Sequence, residues 1–256
     1  MSTQLLAKDR VDVLGVRFHR VTMNEAIEKI LYWVTDKNHH MIVTAGPEFV
    51  MQCQVNPKLC QLVNSADLVT ADGIGVVWAA ARNGRPVPER LTGVELVLAV
   101  LAEAQQRRQE LRVFLLGATE VSLQACMKQL RGDFPELTFA GRNGYFNEAQ
   151  LDEVLAEVQA FQPDLFLVGM GQPRQEMFIQ TVLGRLSPCV AVGIGGSIDV
   201  WGGTVPRAPR IFQRMNVEWL YRLVSQPSRW RRQLALPRFA MQVMRQKTAG
   251  IEGQSD

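Results

Sequence analysis

Between Val11 and Val192 the chain alternates short β-branched runs with single amphipathic helical stretches, and nothing else in it restricts the fold as much. Val11 to Phe18 reads as a strand. Thr22-Met-Asn-Glu25 is a capping box that opens a helix with Ala26, Ile27, Ile30, Leu31 and Val34 on one face. Further strands are expected over His40 to Ala45, Asp67 to Ala71, Arg112 to Leu116, Leu137 to Ala140, Asp164 to Val168 and Cys189 to Val192. Helices are expected over Pro47 to Val63, Gly73 to Arg82, Thr92 to Arg107, Glu120 to Leu130, Glu148 to Phe161 and Pro173 to Leu186. Strands joined by single helices require right-handed crossovers. The expected class is therefore α/β, a Rossmann-like and mostly parallel sheet with helices on both faces.

The alternation stops at Pro206, which divides the chain into a body, 1–206, and an appendage, 207–256. Charge divides at the same place. From Arg207 to Lys247 there are ten Arg or Lys against Glu218 alone, whereas the body carries a slight acidic excess. Helical segments in the appendage are cut by Pro209, Pro227 and Pro237. After Pro237, Phe239, Ala240, Val243 and Met244 fall on one side, and Arg238, Gln242 and Arg245 on the other. Basic helices backed by Trp, Phe and Met suit an anionic bilayer surface. No apolar run approaches about 18 residues, so a spanning helix is not expected. Met1 to Arg10 lacks the apolar core of a secretory signal. Cys53, Cys60, Cys126 and Cys189 form no close pair and read as small buried side chains in a reducing cytosol. His19, His39 and His40 have no metal-ligand spacing.

Chemistry is expected where strands end. Val69-Thr-Ala-Asp72-Gly73-Ile-Gly75 plants a lone carboxylate at the carboxyl rim of a strand, beside a glycine turn that lets a ligand approach the backbone. Glycine turns also close the strands at Gly117, at Gly169-Met-Gly171 and at Gly193-Ile-Gly195-Gly196, where backbone N–H groups can face a phosphate. None completes a dinucleotide fingerprint: Trp78, Arg174 and Ile198 occupy the sixth positions, and no phosphate-loop Gly-Lys-Ser/Thr is present. A nucleotide-dependent oxidoreductase is disfavoured accordingly. A nucleic-acid-binding protein using the basic tail is disfavoured because apolar and aromatic residues share that tail and no nucleic-acid motif occurs. In Gly171-Gln-Pro-Arg-Gln-Glu176, Gln172, Arg174 and Gln175 cluster at a helix start, where amides can read a base or sugar and Arg can meet a diphosphate. Arg90-Leu-Thr-Gly93 places another cation beside a helix start. No Asp-x-Asp pair is present to hold a metal, so neither a metal nor another cofactor is expected.

Taken together, Thr44-Ala-Gly-Pro-Glu48, Ala71-Asp72-Gly73-Ile-Gly75, Arg90-Leu-Thr-Gly93, Gly171-Gln-Pro-Arg-Gln175-Glu176, Gly195-Gly-Ser-Ile-Asp199, Arg207-Ala-Pro-Arg210 and Glu218-Trp-Leu-Tyr-Arg222 resemble the WecG/TagA/CpsF glycosyltransferases in order and spacing. The resemblance spans Val11 to Arg245. It implies an inverting, metal-independent transfer from a UDP-sugar to a polyprenyl-diphosphate-linked sugar, in teichoic acid or other surface polysaccharide synthesis. It also implies a peripheral location on the inner face of the bacterial plasma membrane. N-acetylmannosamine is the sugar implied first; UDP-glucose or UDP-glucuronate donors belong to the same reaction class. By position, Asp72 resembles the general base, with Thr44 a pocket residue near it. Arg90 resembles a diphosphate or sugar binder, and Gln175 and Asp199 resemble donor contacts. Gly73, Gly171, Gln172, Arg174, Gly195 and Gly196 would complete the donor pocket. Arg207, Arg210, Arg214, Arg222, Arg229, Arg231 and Arg232 would meet lipid phosphate or membrane. Many members carry Asn where this chain has Gly46. The Met- and Trp-containing faces of the tail could also pair chains into a homo-oligomer.

Overall fold

The computed structural model describes residues 9–206, 208, 209, 212, 221 and 234–246. An antiparallel hairpin, β1 (Arg10–Val13) and β2 (Val16–His19), precedes α1 (Met23–Trp33). Then follow β3 (His40–Ala45), α2 (Pro47–Val55), α3 (Pro57–Ser65), β4 (Leu68–Ala71), α4 (Ile74–Arg82) and α5 (Gly93–Gln106). The second half runs β5 (Arg112–Gly117), α6 (Glu120–Asp133), β6 (Thr138–Arg142), α7 (Leu151–Phe161), β7 (Leu165–Gly169), α8 (Arg174–Val182), β8 (Val190–Gly193) and α9 (Ser197–Trp201). A last described helix, α10, spans Ala235–Arg245.

Strands β3 to β8 form one six-stranded sheet in the order β4-β3-β8-β7-β5-β6, and every pairing is parallel. All carboxyl ends therefore share one edge. Strands covered on both faces read as continuous apolar runs, and β4, Leu-Val-Thr-Ala, is buried at every position. One apolar layer gathers the hairpin, α2, α3, α4, α7 and α8, and the other gathers α1, α5, α6 and α9.

Two expectations change. Val11 to Phe18 is a hairpin rather than one strand, because Leu14 and Gly15 both take positive φ and turn the chain, with Asp12 Oδ1 accepting from Gly15 N–H at 2.9 Å. Pro237 does not interrupt a helix; it lies in the first turn of α10, where its missing N–H would have had no intrahelical partner. The thiols of Cys53, Cys126 and Cys189 are buried, and burial pushes each up to about 12.

His19 ties the hairpin to the sheet. Its buried Nδ1 accepts from Val69 N–H at 2.9 Å, which requires the neutral ring, and burial with the nearby Arg10 holds its pKa down at about 4. The unfolded chain takes up a proton near pH 6.5 that the folded chain refuses, so stability is complete above that value and falls as pH drops from about 6.5 to about 4. The loss approaches about 3 kcal/mol. Thermal unfolding followed over this range should show the decline, and a His19→Gln variant should flatten it.

Candidate active site

The strand-end register builds the site. Thr44 pairs with Thr70 and Ala45 with Ala71, and Asp72 N–H continues the ladder by donating to Ala45 O at 3.0 Å. Asp72 therefore leaves the end of β4 two residues beyond the position paired with Thr44. The two turns that follow are pressed together: a Cβ on Gly46 would lie 2.6 Å from Asp72 O. Gly73 takes a φ of 130°, a conformation closed to side-chain-bearing residues, and turns the chain straight into α4. The Gly46 departure thus has a steric consequence, since a side chain at this position must push the Asp72 peptide away.

Arg90 arrives from the opposite flank. Leu91 N–H donates to Ala71 O at 3.0 Å and Leu91 O accepts from Thr70 Oγ1 at 3.2 Å, so Arg90 enters beside the peptide that carries Asp72. The Arg90 guanidinium is mostly buried, with Nη2 3.5 Å from Glu95 Oε2; that same oxygen accepts from Thr92 Oγ1 at 2.9 Å. The start of α5 closes on Thr44, where a Cβ on Gly93 would lie 3.2 Å from Thr44 Oγ1. Asp72, Thr44 and Arg90, distant in sequence, converge on one corner of the carboxyl edge.

The β7 and β8 turns continue that edge. Gln172, half-buried, donates from Nε2 to Thr44 O at 2.8 Å and so joins the β7 turn to the end of β3. Arg174 opens α8 and is exposed. Gly171 and Gly195 sit in left-handed turns with open space where a Cβ would point, and Gly196 is exposed beside them. Asp199 is half-buried in α9, with Oδ2 3.8 Å from the position of a Cβ on Gly196. Gln175 departs from expectation. It is only 1% exposed, and both ends of its amide are engaged within the protein. Nε2 donates to Glu176 Oε1 at 2.8 Å, and Oε1 accepts from Gly195 N–H at 2.9 Å.

Two residues escaped sequence reasoning. Glu176 is fully buried beneath this edge. Tyr145 is 77% exposed on the turn after β6, and the neighbouring Gly144 packs against Gly117 at the end of β5. Among the described residues no group of His, Cys, Asp and Glu side chains is arranged to hold a metal ion. An open cavity of about 550 Å³ lined by Arg17, Gln54, Cys60 and Asn64 contains none of the expected site residues.

Of the tail arginines, Arg207, Arg210, Arg214, Arg222, Arg229, Arg231 and Arg232 lie outside the described residues, as does the Trp230 segment. On α10 the expected apolar face is divided. Phe239 and Val243 are buried where the helix packs on α2 and α4, with Phe239 Cε1 3.6 Å from the position of a Cβ on Gly75. Met244 turns outward with Met241.

Over 240 residues the chain is 36% identical to an N-acetylglucosaminyldiphosphoundecaprenol N-acetyl-beta-D-mannosaminyltransferase of Staphylococcus aureus strain MW2, covering 93% of each protein. A Bacillus spizizenii protein of the same name is 38% identical over 212 residues, 82% of this chain and 81% of that protein. The model of the glycosyl transferase WecG/TagA/CpsF family matches residues 11–252, nearly end to end, and this chain belongs to that family.

Proposed function

We propose that the protein transfers N-acetylmannosamine from a UDP-linked donor to N-acetylglucosamine carried on a polyprenyl diphosphate, with inversion at the anomeric carbon. The observation that carries this reading is the meeting of Asp72, Thr44 and Arg90 at one corner of a parallel sheet whose neighbouring strands end in open glycine turns. The names of the relatives support the choice of sugars.

In this reaction the acceptor hydroxyl attacks the anomeric carbon from the face opposite UDP, and the Asp72 carboxylate takes up the hydroxyl proton as the new bond forms. Negative charge gathers on the departing diphosphate. The Arg90 guanidinium and the N–H groups of Gly171 and Gly196, on the β7 and β8 turns, stabilise it, fixed in place before the reaction begins. The exposed ring of Tyr145 suits stacking on the uracil. Asp199 and Arg174 offer contacts to the sugar and diphosphate from α9 and α8. The direct test is transfer of radiolabelled sugar from a panel of UDP-sugars to a synthetic prenyl-diphosphate N-acetylglucosamine. UDP-N-acetylmannosamine should be the best donor, and transfer from no UDP-sugar would overturn the reading.

A lipid-linked acceptor requires the protein to reach a membrane surface. No helix among the described residues is long and apolar enough to cross one. On α10, Met241 (46% exposed) and Met244 (55%) lie beside the exposed Arg238 and Arg245, an arrangement suited to anionic headgroups over acyl chains. A Met241→Glu/Met244→Glu variant should keep the fold, because neither side chain is buried, and should lose roughly tenfold or more in sedimentation with vesicles containing phosphatidylglycerol. Unchanged sedimentation would remove α10 from the membrane contact.

A further inference from the structure

One buried acid beneath the strand ends is unused by the chemistry above. Glu176 is 0% exposed in the first turn of α8, and its Oε1 accepts from two amides, Gln175 Nε2 at 2.8 Å and Gln172 Nε2 at 3.3 Å. Gly193 makes the arrangement possible: a Cβ there would lie 2.6 Å from Gln175 Nε2 and 2.9 Å from Glu176 Oε1. The hydrogen bonds form one connected chain across three adjacent strand ends. Thr44 O accepts from Gln172 Nε2, Glu176 Oε1 accepts from Gln172 and Gln175, and Gln175 Oε1 accepts from Gly195 N–H.

The chain has a direction that follows from donor and acceptor chemistry alone. A backbone carbonyl accepts only, so Gln172 must turn its NH₂ group to Thr44. A backbone N–H donates only, so Gln175 must turn its carbonyl to Gly195. Both NH₂ groups then point at Glu176, which has to accept twice. Gln172 Oε1, which takes no hydrogen bond among the described residues, is left as the end of that amide available to a ligand.

We propose that Glu176 is a positioning residue for donor binding, a buried acceptor that locks the amides of Gln172 and Gln175 so that Gln172 presents a carbonyl oxygen and Gly195 a fixed turn to the UDP moiety. The inference rests on the donor site assigned above. Gln172 consequently takes a donor group of the ligand, such as the N3–H of uracil or a sugar hydroxyl, and rejects an acceptor. Burial raises the Glu176 carboxyl above the usual carboxylate range, and Oε2 is buried without a hydrogen-bond partner, as suits a neutral acid better than an unpaired charge.

The test measures UDP affinity by titration calorimetry on the full chain and three variants, Glu176→Gln, Glu176→Met and Glu176→Asp, each checked for folding by circular dichroism. Gln keeps a carbonyl that accepts from both amides, and its affinity should stay within roughly threefold of the parent. Met removes the acceptor, and Asp withdraws it by one methylene; each should weaken UDP binding roughly tenfold or more. With saturating acceptor and varied donor, the same two variants should show a raised donor KM and little change in kcat. If Met fails to fold, the Asp variant carries the comparison. Equal UDP affinity in all folded variants overturns the proposal, as does a loss in the Gln variant as large as in the others, which would mean packing rather than orientation. A parent protein that does not bind UDP overturns the donor site itself, an outcome distinct from either.

Discussion

Asp72→Asn should lower sugar transfer by about 10²-fold or more while leaving UDP affinity within about threefold. The two parts of that expectation have separate structural grounds. Binding survives because the backbone around residue 72 is held by contacts that the side chain does not make. Its N–H is spent on Ala45 O, its carbonyl is pressed against Gly46, and Gly73 sets the turn into α4. Asn has the same shape, so the strand end and the neighbouring Arg90 loop stay where they are. Turnover falls because a carboxamide cannot take up the proton of the attacking hydroxyl. Single-turnover transfer to a synthetic prenyl-diphosphate acceptor measures the first quantity and calorimetry with UDP the second. If transfer is unchanged, the base lies elsewhere. If affinity and transfer fall together, Asp72 shapes the donor pocket rather than performing the proton transfer.

The parallel sheet was legible because its strands are buried on both faces and are written as uninterrupted apolar runs between amphipathic helices, a pattern that admits few other architectures. The hairpin was written there too, in a phase slip. Val11 and Val13 point inward at odd positions, whereas Val16 and Phe18 do so at even ones, so two residues had to be spent on a turn between them. At the site, glycine turns and a rim carboxylate can be read locally, but the convergence of Thr44, Asp72 and Arg90 depends on strand register and on the Leu91 hydrogen bonds to β4. Glu176 shows the same limit from the other side. It lies on the buried stripe of α8 with Gln175, Ile179 and Val182, where helical spacing marks it as inward-facing, yet the two amides it accepts from, Gln172 and Gln175, are oriented by Thr44 and Gly195 at two other strand ends. In α10 the i, i+4 pair Phe239 and Val243 reads equally well as bilayer contact or as core, and only the packing on α2 and α4 decides. Tyr145 gave no local signal, since one aromatic in a polar turn is unremarkable until the Gly144–Gly117 contact places it at the sheet edge.

Gly117→Ala should be the most damaging single-methyl addition along this edge, with an expected loss of about 4 kcal/mol. Two effects add. Gly117 has a φ of 153°, where a side-chain-bearing residue is strained, and this contributes about 1–3 kcal/mol. The added methyl carbon would also stand 2.4 Å from Gly169 O and 2.7 Å from Gly169 C, both backbone atoms that no rotamer change can move. Relief requires the ends of β5 and β7 to part, although Leu116 and Gly117 are in register with Val168 and Gly169 and Ala118 N–H donates to Gly169 O at 3.3 Å. Gly169 in turn backs onto β8, where a Cβ on it would lie 2.9 Å from Gly195 O and 3.0 Å from Ile198 Cδ1. A displacement that starts at β5 is therefore passed through β7 to the Gly195 turn, the segment that the Gln175 carboxamide holds and that is assigned to the donor diphosphate. The variant should melt roughly 10 °C lower than the parent by calorimetry. At temperatures where it is still folded it should also bind UDP more weakly. An equal addition on the opposite flank of the chain, Gly132→Ala, meets nothing within 4 Å inside α6 and should stabilise slightly, by the ordinary helix preference for alanine. A Gly117→Ala protein that melts with the parent would mean that β5 and β7 are free to separate at their carboxyl ends, and the rigid row of turns inferred for the donor site would have to be abandoned.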